Sequence, residues 1–466
     1  MSPHPQKRRS RTSALLAVAA LAAALSPTIP AVADDTAEGF ALAPNADRTH
    51  HVRSAVRGGK ARNVLLFVGD GMGDSEITLA RNYELGAAGR LNLDRLPLTG
   101  AYTTYSVAKG DPGRVEYVTD SAAAATGYAI GAKTYNGAVG VDAHGRERPT
   151  ILELAKRRGY RTGNVTTAEL QDATPAALSA HVLDRTCRGP QDMKECAPND
   201  KRNGGAGSIA EQQVALRADV LMGGGGKYFD QQVAAGQFAG RTVRQQAVDS
   251  GFQVITSADQ MRALDRERPV LGVFAAEGLD STWTGPPAKA GGTPPSRCAE
   301  NPARRKDQPT LADMTRASID LLERRSRGHD RGFFLQVEGA QIDWGAHDGL
   351  PCEQIGETVQ FDRAVAVGME FARRRPDTLV IVTADHAQTT QIIPNGQKSP
   401  GMTATLITNE GGHMTVNYAT GLPGELQEHT GTQVRIAGYG PQAANVVGVT
   451  DQTDLFRTLS RAMGVR

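Results

Sequence analysis

Six short apolar runs, at 63–68, 162–165, 220–222, 270–274, 332–337 and 378–383, end abruptly in Gly or Asp. Runs of this length without polar alternation predict strands buried on both faces. Between them, apolar residues recur at three- and four-residue spacing, which predicts helices at 121–130, 150–158, 311–324 and 355–374. Strands alternating with helices predict a three-layer α/β sandwich around a central, mostly parallel sheet. Two stretches break the pattern, a Pro- and Gly-rich one at 285–308 and a polar, Gly-rich one at 395–424. Both are expected as surface insertions in one domain. No internal repeat is present.

In open parallel sheets, ligands collect at the carboxyl ends of the strands. The first run leads into Gly69-Asp70-Gly71-Met72-Gly73-Asp74. A dinucleotide-binding loop would need Gly at position 74, and Asp70 would face a pyrophosphate with negative charge, so this strand end suits a cation. Asp172 and Thr174 follow the second run, Glu338 and Asp343 the fifth, and Asp385 with His386 the sixth. His347 lies four residues beyond Asp343, and His429 sits in Glu428-His429-Thr430-Gly431. Each alone reads as a turn residue, a solvated carboxylate or a core histidine. Together, Asp70, Asp172, Glu338, Asp343 and Asp385 converging with three imidazoles would be unstable without neutralising cations. Mixed His and Asp ligands suit zinc, and an all-oxygen set suits magnesium.

Thr119-Asp120-Ser121 precedes an Ala-rich helix. Ser and Asp are ordinary N-caps. A hydroxyl at a helix N-terminus beside a metal is also a candidate nucleophile for an anionic substrate. Gly223 to Gly226 with Lys227 imitates a P-loop, but Leu221 and Tyr228 occupy required Gly and Ser/Thr positions, leaving a strand-end turn. His50, His51, His144, His181, His329 and His413 carry no partner pattern, and the Arg runs at 324–325 and 373–375 read as solvated helix ends.

Charge narrows the classes. Lys and Arg total 52 against 50 Asp and Glu among 466 residues, and 5% of residues are aromatic, so neither nucleic acid nor an anionic membrane is favoured. At the N-terminus, Lys7, Arg8, Arg9 and Arg11 precede an apolar run at 14–25 and the small-residue site Ala31-Val32-Ala33. This predicts a cleaved signal peptide over 1–33, too short for the ~20 residues of a membrane span, and a secreted or periplasmic chain from 34 to 466. The surroundings of Arg8-Arg9 fit a twin-arginine signal poorly. In an oxidising compartment the four cysteines, Cys187, Cys196, Cys298 and Cys352, favour disulfides. Of the three pairings allowed, joining sequence neighbours is simplest.

The segments 69–76, 119–124, 171–175, 336–343, 384–386 and 428–431, in this order and spacing, resemble the signature segments of bacterial alkaline phosphatases. The likeness spans nearly the whole chain after the signal peptide and includes the spacing of the four cysteines. It implies hydrolysis of phosphate monoesters through a phosphorylated Ser121, with two zinc ions and one magnesium ion. Asp343, His347 and His429 resemble the ligands of one zinc, and Asp70, Asp385 and His386 those of the other. Asp70 would also reach the magnesium, with Asp172, Thr174 and Glu338. Arg185 resembles the phosphate-clamping arginine and Asp120 the residue that holds it, and a homodimer is implied. One residue departs from the pattern: Trp344 follows Asp343 where many bacterial members carry Lys and animal ones His, so a water-mediated contact to phosphate is expected to be lost.

Two rivals use related chemistry. A sulfatase needs a modified Cys or Ser in a Pro- and Arg-containing motif, which Asp120-Ser121-Ala122 lacks, and a phosphodiesterase on the same scaffold usually lacks the set Asp172, Thr174 and Glu338. A secreted zinc- or phosphate-binding protein would not need a nucleophile at Ser121.

Overall fold

The computed structural model describes residues 47–465, so the predicted signal peptide lies outside the described residues. Each apolar run seen in the sequence becomes a strand of one ten-stranded sheet. From one edge its order is Gly448–Asp451, Leu98–Thr103, Val434–Tyr439, Thr378–Ala384, Asn63–Gly69, Phe333–Gly339, Arg161–Glu169, Val220–Gly224, Val270–Val273 and Gln253–Ile255. Only Val434–Tyr439 runs against the rest, pairing antiparallel with both its neighbours. Every residue of Asn63–Gly69, Phe333–Gly339 and Thr378–Ala384 is buried, as expected of parallel strands covered on both faces.

Two packed groups cover the sheet centre among the described helices. Asp74–Leu85, Leu311–Arg325 and Pro351–Arg374 pack together, as do Ser121–Ile130, Ile151–Arg157 and Asp454–Met463. This is the expected sandwich. Over the sheet centre, Phe67 meets Phe361 edge to face with ring centroids 6.3 Å apart. Gly368 lets the long helix close on that strand, since a Cβ there would lie 2.5 Å from the Phe67 ring. The long helix begins four residues before its predicted start because Pro351, with its fixed φ and missing N–H, suits a first helical turn.

The stretch 395–424 is more ordered than an insertion of loops. Met402–Ile407 and His413–Tyr418 form an antiparallel pair within a separate four-stranded sheet with Lys289–Ala290 and Gln391–Ile393. Leu406, Val416 and Tyr418 are buried against Leu79, Ile355 and Cys352. Both sequence-neighbour disulfides are present, Cys187–Cys196 and Cys298–Cys352, and no described cysteine is free. One expectation fails: Arg325 is no solvated helix end, because its side chain is 14% exposed and lies 3.1 Å from Asp219. No helix among the described residues is long and apolar enough to cross a membrane.

Candidate active site

Register delivers the first carboxylates. Gly69 pairs with Gly339 on one side and Ala384 on the other, so Asp70 and Asp385 leave adjacent strands at the same level, where strand spacing is ~4.8 Å. Glu338 pairs with Val68 one step earlier. The Gly71 amide donates to Asp385 Oδ1 at 3.0 Å. Gly71 has φ of +63°, and a Cβ there would meet Asp343 Oδ1 at 2.8 Å, so glycine is required both by conformation and by space.

Past the strand ends, Asp343 and His347 share one face of the helix Gln341–His347 by their four-residue spacing. His347 Nε2 lies 3.2 Å from Asp343 Oδ2, and His429 Nε2 lies 3.4 Å from Asp343 Oδ1. The loop bearing His429 is held by the Thr430 amide donating to the Ala387 carbonyl at 3.1 Å. His386 stacks on His429 with ring centroids 3.6 Å apart. Its Nε2 is 3.3 Å from both Asp70 and Asp385.

Ser121 opens the helix Ser121–Ile130, and Asp120 is the N-cap, accepting from the Ala123 amide at 2.9 Å. Capping therefore falls to Asp120, and the Ser121 hydroxyl is left for other contacts. Its Oγ lies 3.0 Å from His386 Nε2 and 3.4 Å from Asp70 Oδ1. Arg185 donates to Asp120 at 3.2 Å and to Asp172 at 2.8 Å, which aligns its guanidinium beside the Ser121 helix.

These groups fit metal ions. Two clusters have ligand atoms within 4.8 Å of one another, Asp343 with His347 and His429, and Asp70 with Asp385 and His386. Both ring Nδ1 atoms of the first cluster face backbone carbonyls, His347 that of Gln427 and His429 that of Thr119, so the protons sit there and the Nε2 lone pairs remain. Those two Nε2 atoms are 3.0 Å apart, an arrangement that a cation between them resolves. Asp385 Oδ2 and Thr174 Oγ1 are buried without a hydrogen-bond partner.

The electrostatics agree. Burial, with Asp385, Asp343 and Glu338 nearby, raises the Asp70 carboxyl well above its usual range. Burial and Asp343 push Asp385 up to about 6, and burial with Asp172 and Asp385 pushes Glu338 up to about 8 against a 2.5 Å hydrogen bond from Thr166. Burial opposes ionisation of Asp343 too, but the imidazoles of His347, His429 and His386 around it hold it well below the carboxylate range. Crowded carboxylates of this kind are stabilised by bound cations.

The residues expected from the sequence are thus brought together around Ser121, with one qualification. The carboxylates Asp70, Asp172 and Glu338 do not form a third cluster of the same tightness among the described residues, and Asp172 Oδ1 accepts from Arg185 and, at 3.0 Å, from Arg188. Two further residues, Arg188 and Gln388, belong to the site. Arg188 bridges Asp172 and Glu169, and Gln388 donates to Asp343 Oδ1 at 2.5 Å. The position of Arg188 three residues after Arg185 was a usable signal for the first; nothing in the sequence pattern marks Gln388.

The alkaline phosphatase family profile matches residues 61–425 and 402–465. A streptomycin-6-phosphate phosphatase of Streptomyces griseus is 56% identical over 412 residues, spanning 87% of this chain and 91% of the relative. The alkaline phosphatase of Escherichia coli K12 is 48% identical over 457 residues, spanning 95% of this chain and 96% of its own. The crystal structure of Thermus thermophilus alkaline phosphatase shares the fold, with a TM-score of 0.65 at 22% identity over 91% of this chain and 96% of that one. With strand ends, ligand-bearing helix and serine arranged as above, and relatives of this identity along nearly the whole length, the chain belongs to the alkaline phosphatase family of metal-dependent phosphomonoesterases.

Proposed function

We propose that Ser121 is the nucleophile of this phosphomonoesterase and that the phosphoryl group rests on it as a phosphoserine between two displacements. The observation carrying this reading is the buried Ser121 Oγ, at the start of its helix and 3.0 Å from His386 Nε2. In this reading Asp343, His347 and His429 hold one zinc ion, and Asp70, Asp385 and His386 hold a second. Asp70, Asp172, Thr174 and Glu338 hold a magnesium ion. Bound there, the cations supply Lewis acidity, which lowers the pKa of a hydroxyl and offsets negative charge on a departing oxygen.

Ser121 Oγ forms a bond to phosphorus as the bond to the alcohol oxygen breaks, and the alcohol departs protonated. Water then breaks the serine ester, which releases inorganic phosphate and restores the hydroxyl. Arg185, oriented by Asp120 and Asp172, clamps two phosphate oxygens and stabilises the charge they carry in the transition state. The helix N-terminus at Ser121 adds its dipole to the same anion.

Residues 1–33 act as a signal peptide and 34–466 as the catalytic domain, exported without a membrane anchor and working as a homodimer. Two disulfides suit an oxidising compartment. The test is hydrolysis of a chromogenic phosphate monoester after chelation and stepwise return of zinc and magnesium, with Ser121→Ala alongside. Activity should vanish on chelation and return with the metals in the wild type alone. Activity that survives complete metal removal contradicts the reading.

A further inference from the structure

Beside the ligand clusters lies a second concave surface. On the helix Gln341–His347 and its first following residue, Gln341, Trp344 and Asp348 share one side. That side is turned about a third of a turn from Asp343 and His347, at roughly 100° per residue. It lines a cleft of about 310 Å³ together with Glu169, Glu277 and Glu353.

The lining offers acceptors and an aromatic face. Glu169 pairs with Arg188 at 3.2 Å and Glu277 with Lys227 at 2.8 Å. Asp348 and Glu353 have no cation beside them among the described residues, and burial together with Asp348 raises the Glu353 carboxyl. Trp344 is half-buried, its ring packed against Gly278.

A separate observation points to a ligand. Gln341 is 6% exposed, and its Nε2 donates to the Leu279 carbonyl, which fixes the orientation of the amide. Its Oε1 is left without a donor. A buried acceptor without a partner is costly. An N–H group entering this cleft would satisfy it while its positive charge met Asp348, Glu353 and the face of Trp344.

The cleft is also within reach of the reaction. Trp344 directly follows Asp343, a Cα step of about 3.8 Å. On the other wall, Glu169 is joined through Arg188 to Asp172, and Asp172 to Arg185. The cleft thus borders both the helix that carries Asp343 and the chain of ion pairs that orients Arg185.

We propose that this cleft is a subsite for the alcohol part of the substrate, and that it selects phosphate monoesters whose alcohol carries an ammonium or guanidinium group. The inference rests on Ser121 being the position at which the phosphoryl group is taken.

The test compares kcat/KM of the metal-loaded enzyme on glucosamine 6-phosphate and glucose 6-phosphate, which differ by one amino group, with p-nitrophenyl phosphate as reference. The wild type should favour the amino sugar by about tenfold, mainly through KM. Asp348→Asn with Glu353→Gln should bring that ratio close to unity while leaving the two uncharged alcohols unaffected. Asp348 is exposed, so Asp348→Asn alone keeps the fold and should give part of the effect. Equal rates on both sugars in the wild type overturn the proposal, as does a variant that loses all three esters alike or keeps the full ratio. Failure of the Ser121 reading shows separately, as wild-type turnover in Ser121→Ala.

Discussion

His347 Nε2 and His429 Nε2 face each other at 3.0 Å, while each ring turns its Nδ1 to a backbone carbonyl. Two imidazole lone pairs held this close, with Asp343 against both, form a candidate site for a divalent cation. His347→Ala and His429→Ala should each lower zinc affinity at this cluster by about 10²-fold or more, since removing a ligand costs at least as much as removing its outer partner. Metal content per chain after dialysis against graded chelator checks this. Unchanged zinc retention in both variants contradicts the ligand assignment.

Arg185 and Arg188 both touch Asp172, but only Arg185 also reaches Asp120, the residue before Ser121. Arg185→Ala should therefore weaken competitive inhibition by inorganic phosphate by about 10–100-fold, the scale of a charge-assisted bidentate contact. Arg188→Ala should change it by less than about threefold, and Arg185→Lys should restore only part of the loss, because an ammonium cannot form the planar fork. Inhibition constants measured on the three variants decide between the two arginines.

Much of this centre is legible in the sequence because parallel strands buried on both faces must be apolar until they emerge. Asp70 and Asp385 are the first charged residues past such runs, and strand register then sets them side by side. Arg185 is different: beside a cysteine in an irregular stretch it has no periodic signature, and only the family resemblance points to it. Gln388 and Arg188 act through contacts made by loops whose paths no periodicity dictates. The hairpin Met402–Ile407 and His413–Tyr418 does alternate, burying Met402, Ala404, Leu406, Met414, Val416 and Tyr418, but that short signal is submerged in the polar, Gly-rich composition of the stretch around it. Arg325 looks like a solvated helix end until the helix packs beside Asp219.

Glu76, buried on the helix Asp74–Leu85 with no cation beside it among the described residues, has its carboxyl pushed up to about 7 by burial, from 4.5. The folded state thus binds this proton more tightly than the unfolded chain. Its stabilising contribution is fully present below the unfolded value and is lost as pH rises through about 7. Glu76→Gln should gain stability relative to the wild type on going from about pH 5 to about pH 9, by up to ~3 kcal/mol. Urea unfolding at both pH values measures it, and a stability difference that does not change with pH contradicts the assignment.

The most direct test of the account is to quench the metal-loaded enzyme with acid during turnover of a phosphate monoester and locate the phosphoryl group by peptide mass spectrometry. The account predicts one phosphoryl group on the peptide containing Ser121 and none on the same peptide of Ser121→Ala, whose turnover falls by about 10³-fold or more. A phosphoryl group found on another residue, or an Ala variant that turns over at the wild-type rate, contradicts it.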